Sequence, residues 1–221
     1  MNEIEDGIIE LKLKKLAGET SRSIRPTTWV YKEGSLVYDH TPHGDIVGGV
    51  GCRLLAPHSG NSIELGGDPT NPIIRPNVNI VNGPGVDILH DLNNLFPMQS
   101  NTYDLVYSVF VIEHIKNSRI RQFISECYRI TQPGGVNIHV GPNLKAQCAS
   151  MASIEKWDHH LINTIFAGDG IPEAPDPHEG YHHTGFDPQM AVDVFKEAGF
   201  SEVVVWEYPK FKLEMVIEAW K

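Results

Sequence analysis

Cysteine is scarce in this sequence: Cys52, Cys127 and Cys148 are the only three in 221 residues. Their number is odd and their spacing wide, so neither a disulfide framework nor a metal knuckle or redox pair is read. Reduced thiols in the cytoplasm are the expectation. Basic runs are also missing. Lys and Arg number 18 against 28 Asp and Glu, a formal net charge of −10. That balance disfavours nucleic acid and anionic membrane as partners. No apolar run is long enough to span a bilayer. The start, MNEIEDGII, lacks the charged-then-apolar order of a signal peptide. No internal repeat is visible, and no Gly-x-Gly-x-x-Gly turn of the dinucleotide-binding kind.

What the chain does have is a regular spacing of short apolar runs. Ser62–Leu65, Asn77–Val81, Val86–His90, Tyr103–Val109 and Val136–Val140 read as buried parallel strands. Between the fourth and fifth, Ile120, Phe123, Ile124, Cys127 and Ile130 share one helical face. Gln132-Pro133-Gly134-Gly135 stops that helix. Asp187-Pro188 offers an N-cap with Pro at the first helical position. Met190, Ala191, Val194, Phe195 and Ala198 then form one stripe, and Gly199 ends it. Two strands close the chain, Glu202–Glu207 and Lys212–Ala219. The pattern predicts an α/β fold: a doubly wound, Rossmann-like, mostly parallel sheet with an antiparallel C-terminal edge. Nearer the start, two aromatic, β-branched runs flank Lys32-Glu33-Gly34-Ser35 and predict a hairpin. The expected division is an N-terminal extension over residues 1–60 and one domain over 61–221.

The stretch YDLVYSVFVIEHI from Tyr103, followed by FISECYRITQPGGVNIHVGP up to Pro142, resembles the class I SAM-dependent methyltransferases of the type 11 superfamily. GFDPQMAVDVFKEAGFSEVVV resembles their last helix and strand. The likeness covers roughly residues 60–220. It implies an enzyme that holds S-adenosyl-L-methionine (SAM) and transfers its methyl group to a small-molecule acceptor, at O or N. A non-catalytic or repurposed member of the fold, acting as a partner subunit, is the alternative.

The resemblance also implies site residues. A Gly-rich turn after the first strand lets backbone approach the cofactor. Here that motif reads Glu64-Leu65-Gly66-Gly67-Asp68-Pro69-Thr70, with the acid and the first Gly present and the later glycines absent. The ribose acceptor falls on Asn79, with Ile80 beside it, or on Asn82, where the family has a carboxylate; both asparagines also read as turn residues. A neutral acceptor in place of a charged one costs about 1 kcal/mol. Asp91 is implied to accept from the adenine amino group and Leu92 to read the ring through its backbone; Asp91 also reads as an N-cap. Ser108 ends the fourth strand over the expected cofactor.

Histidines supply the candidate acceptor-side chemistry. His114 belongs to the family's Glu-His segment and reads either as facing the acceptor or as a structural hydrogen-bonder. His183 stands where the family has a histidine before the last helix. His139 reads as a satisfied core histidine. A lid over residues 145–185 holds Asp158, His159, His160, Asp176, His178, Glu179, His182 and His183. His178 and His182 are four apart, a metal-ligand spacing on a helix, but Pro172, Pro175 and Pro177 disfavour that helix, so no metal ligands are assigned. The hairpin is read as a cap on the site or a dimer contact, which leaves a homodimer open.

Overall fold

The computed structural model describes residues 61–153, 162, 165–166, 180–207 and 213–221, together with the backbone of five strands before residue 61. Those five are β1 (Lys15–Ala17), β2 (Thr28–Lys32), β3 (Ser35–His40), β4 (Gly44–Gly48) and β5 (Arg53–Leu54). β2 to β5 form an antiparallel four-stranded sheet in sequence order. The expected hairpin is its first unit, with β2 antiparallel to β3 and Lys32 opposite Ser35.

The remaining strands are β6 (Ser62–Leu65), β7 (Asn77–Asn79), β8 (Ile88–Leu89), β9 (Tyr103–Val109), β10 (Thr131–Pro142), β11 (Glu202–Glu207) and β12 (Glu214–Trp220). With β1 they build one eight-stranded sheet in the order β1-β11-β12-β10-β9-β6-β7-β8. β8, β7, β6, β9 and β10 run parallel, and β12 lies antiparallel between β10 and β11. This is the expected mostly parallel sheet with an antiparallel edge. β1 pairs with β11, so part of the segment before residue 60 belongs to this sheet. The strand order reverses at β6, which has β7 on one side and β9 on the other. A crevice opens there at the carboxyl ends of the strands, the usual ligand position in such sheets.

Helix α1 (Ile120–Ile130) buries the predicted stripe Ile120, Phe123, Ile124, Cys127 and Ile130. The chain then enters β10 directly, five residues before the predicted strand start, with an irregularity in register between Thr131 and Val136 that takes up the Pro-Gly-Gly turn. α2 (Leu144–Ala152) follows, N-capped by the Asn143 side chain. In α3 (Pro188–Glu197), the Asp187 carboxylate accepts from the Met190 N–H at 2.8 Å, and Gly199 closes the end at φ +108°. α1 and α3 pack on the sheet around Phe123, Phe195, Val106 and Val205, all essentially inaccessible.

One half of the sheet departs from strand–helix alternation. Among the described residues, no helix joins β6 to β7 over 66–76 or β7 to β8 over 80–87. Parallel strands are usually joined through a crossover helix. Here irregular loops cross instead, and side chains hold them.

Candidate active site

Gly66 follows β6 at φ +70° and donates its N–H to Val78 O at 2.7 Å. A Cβ there would lie 2.5 Å from Val111 Cγ2. The backbone after β6 thus touches the segment after β9 across the switch-point crevice, and only Gly fits without displacing Val111. Gly66, Asn79, Ile80, Asp91, Leu92 and His114 line one pocket in that crevice. These residues come from four separate segments. His90, Asn93, Phe110, Val111 and Ile115 complete the wall.

Glu64, Gly67 and Ser108 are not among the lining residues. Glu64 is buried, and its Oε2 accepts from the N–H groups of Ile73 and Ile74 at 2.7 and 2.8 Å. It therefore ties down the loop that stands where a helix would be. Burial raises its pKa to about 7, outweighing the two N–H donors that pull the other way. A Cβ on Gly67 would strike this carboxylate at 2.4 Å, which accounts for the second glycine. The Gly67 N–H donates to Asn77 Oδ1 at 2.9 Å. Ser108 Oγ lies 2.7 Å from His139 Nδ1 in the core, and burial pushes His139 down to about 3. That neutral, bonded imidazole matches the core reading of His139.

Two implied cofactor ligands carry local duties as well. Asn79 Nδ2 donates to Gly67 O at 2.7 Å, and its Oδ1 accepts from the Val81 N–H at 2.8 Å. Asp91 accepts from the Asn93 N–H, from Asn93 Nδ2 and from Asn94 Nδ2, at 2.8 to 2.9 Å. It organises a turn rather than a helix, and still lines the pocket.

A 3-10 turn, Ile112–His114, follows Phe110, a non-glycine residue at φ +53°. Left-handed backbone at a bulky residue costs energy and persists where surroundings enforce it. The segment at 181–184 docks on this turn. The N–H groups of His183 and Thr184 donate to Glu113 O at 2.8 and 3.1 Å, and Thr184 Oγ1 donates to Ile115 O at 2.7 Å. His114 Nδ1 lies 3.2 Å from Tyr181 O, and its ring meets His182 edge-on at 4.8 Å between centroids. Burial first, and the nearby His182 second, lower His114 to about 4. It is a neutral ring at pH 7. Glu113 is 2% exposed, and among the described residues no other residue gives either carboxylate oxygen a hydrogen bond. Burial raises it to about 8.

Sequence spacing missed His90 and Phe110, and did not join His182 to Glu113-His114. That pairing joins segments far apart in sequence, where no periodicity connects them. Trp157, Asp158, His159, His160, Asp176, His178 and Glu179 lie outside the described residues.

A family model described as "Methyltransferase domain", of the type 11 group, matches residues 50–138. It takes in the sheet's reversal, the Gly66 turn and the Glu113-His114 segment. Over this stretch the chain is similar to that methyltransferase domain. A Mycolicibacterium smegmatis protein named "Probable S-adenosylmethionine-dependent methyltransferase" is 40% identical over 60 residues, 27% of this chain and 23% of that protein. The chain thus matches about a quarter of that relative's length. A SAM-dependent methyltransferase structure from Thermotoga maritima superposes with TM-score 0.50 and 16% identity, over 76% of this chain and 84% of that one. One from Mesorhizobium loti gives 0.48 and 13%, over 75% and 94%.

The likeness to SAM-dependent methyltransferases implies SAM as the cofactor, and the residues of the pocket fit it. Gly66 leaves room that a Cβ would close, Asp91 offers a carboxylate at the wall, and no described residue takes the Leu92 N–H.

Proposed function

We propose that the chain transfers a methyl group from SAM to an oxygen or nitrogen of a small-molecule acceptor, in the cytoplasm. The observation that supports this most is the convergence of Gly66, Asn79, Ile80, Asp91, Leu92 and His114 on one pocket at the sheet's switch point. Gly66 gives the amino-acid tail its close approach. Asn79, beside Ile80, takes the ribose, and Asp91 with the Leu92 N–H takes the adenine edge. Glu64, Gly67 and Ser108 support the turn and strand that carry these groups.

When bound, SAM supplies an electrophilic methyl carbon, so much of the protein's work is positioning. His114 and His183 stand on the acceptor side. A base with a pKa near 4 is poorly matched to neutral pH. His114 therefore serves better as a neutral hydrogen-bond acceptor that orients the incoming O–H or N–H. Residues 1–60 are an extension that caps the site or contacts a second copy, and residues 145–185 are its lid.

Calorimetric titration of the purified chain with SAM and S-adenosylhomocysteine tests the reading. Micromolar binding of both, followed by turnover on a screened acceptor, is the expected result. The loops at 66–76 and 80–87, with Asn79 already bonded to Gly67, favour a second reading: a scaffold on this fold that no longer binds SAM. Folded protein with no heat of binding would select it.

A further inference from the structure

Among the described residues, Glu113, His114 and His182 each offer one ligand atom, and the three atoms lie within 4.8 Å of one another. Three further observations separate this group from a chance cluster. Glu113 is buried, and among the described residues no other residue partners either oxygen, an arrangement that costs stability unless something else satisfies the carboxylate. His114 points Nδ1 at Tyr181 O at 3.2 Å, and His182 points Nδ1 at Ile165 O at 3.0 Å. A carbonyl can only accept, so each Nδ1 carries the proton and each Nε2 presents a lone pair. A backbone carbonyl behind the far ring nitrogen is how metal-binding histidines are commonly oriented.

We propose that Glu113, His114 and His182 bind one divalent transition-metal ion of the zinc type. Two imidazole nitrogens and one carboxylate suit such an ion better than Mg²⁺ or Ca²⁺, which take oxygen ligands. Bonds of about 2.0–2.1 Å in a tetrahedron put ligand atoms roughly 3.4 Å apart, a gap that side-chain rotation closes. Three protein ligands leave a fourth position open. His114 also lines the crevice, so the ion lies at its rim. On the methyl-transfer reading, and resting on it, that open position holds the acceptor oxygen or nitrogen, and the bound ion takes the place of the direct hydrogen bond to His114 Nε2.

The test uses the full chain, stripped with chelator and titrated with Co²⁺ and then Zn²⁺. Visible Co²⁺ bands report the geometry, and calorimetry the stoichiometry. The expected result is one equivalent of each ion, with Zn²⁺ displacing Co²⁺. His182→Asn keeps a donor for Ile165 O but loses the ligand nitrogen, and Zn²⁺ affinity falls at least about 100-fold. Glu113→Gln gives a comparable loss. If Glu113→Gln fails to fold, His182→Asn and His114→Asn decide, with folding checked by circular dichroism. No binding at micromolar ion overturns the proposal. So does binding that both histidine variants retain, which would place the ion on the chain's other histidines. SAM titration of metal-free protein is read separately, so failure here and failure of the methyl-transfer reading are distinguishable.

Discussion

Gly66 and Val111 meet across the reversal of strand order: a Cβ built on Gly66 would sit 2.5 Å from Val111 Cγ2. The two residues follow β6 and β9, adjacent parallel strands at the point where the strand order reverses. Gly66→Ala therefore faces two penalties at once. Left-handed backbone costs an L-residue about 1–2 kcal/mol, and overpacking about 1–3 kcal/mol. The variant should lose about 2–4 kcal/mol of stability, since the two sites of strain share one relaxation. Chemical denaturation measures this. Stability within error of the parent would mean that the turn is less constrained than its geometry states.

Asp91→Ala tests the adenine end. A hydrogen bond to a charged group is worth about 1.5–3 kcal/mol, so SAM affinity should drop about 10- to 150-fold. The same change removes the acceptor for Asn93 and Asn94, so a modest fall in melting temperature accompanies it. Titration of the folded variant with SAM is the measurement. Parent-like affinity would remove Asp91 from the cofactor site.

The sheet, α1 and α3 were legible because each is decided locally. The Ile120–Ile130 stripe has one period, and Asp187, Pro188 and Gly199 mark both ends of a helix. The loops at 66–76 and 80–87 were not legible as replacements for helices. What holds them is Glu64 reaching Ile73 and Ile74, and Asn79 reaching Gly67. A single buried carboxylate bonded to backbone leaves no periodic trace in sequence. Glu64 consequently resembles a motif acid while it works as a loop tether. Likewise His182 meets His114 only because Thr184 and His183 dock on the Glu113 carbonyl, a contact between distant segments.

Asn79→Asp restores the family's carboxylate, and two effects compete. A charged ribose acceptor gains about 1 kcal/mol over a neutral one. The carboxylate, however, loses the donor to Gly67 O and faces that carbonyl at 2.7 Å. Gly67 O keeps only the longer bond from Asn77 Nδ2 at 3.2 Å, and the shorter bond replaced by an opposed carboxylate oxygen costs about 1–3 kcal/mol. The loss outweighs the gain. The variant should be less stable by about 1–2 kcal/mol and bind SAM no more tightly. Paired melting and titration experiments check both halves, and a tenfold gain in affinity would show that the Gly67 contact is dispensable.

Glu64 sets a pH dependence whose sign follows from its burial. Its folded pKa is about 7, against 4.5 for an ordinary glutamate. Between those values the folded chain holds a proton that the unfolded chain has released. Its contribution is therefore fully present below about pH 4.5 and is lost as pH rises to about 7. At 1.36 kcal/mol per pKa unit the swing is on the order of 3 kcal/mol. Glu113 and Glu214 are also raised by burial, so the slope of the parent alone does not isolate Glu64. Glu64→Gln does, because an amide oxygen still accepts from Ile73 and Ile74 but cannot ionise. The difference in stability between parent and variant should shift by about 3 kcal/mol in the variant's favour from pH 4.5 to pH 8. A difference that stays constant across that range would mean that the two N–H donors hold Glu64 ionised despite its burial.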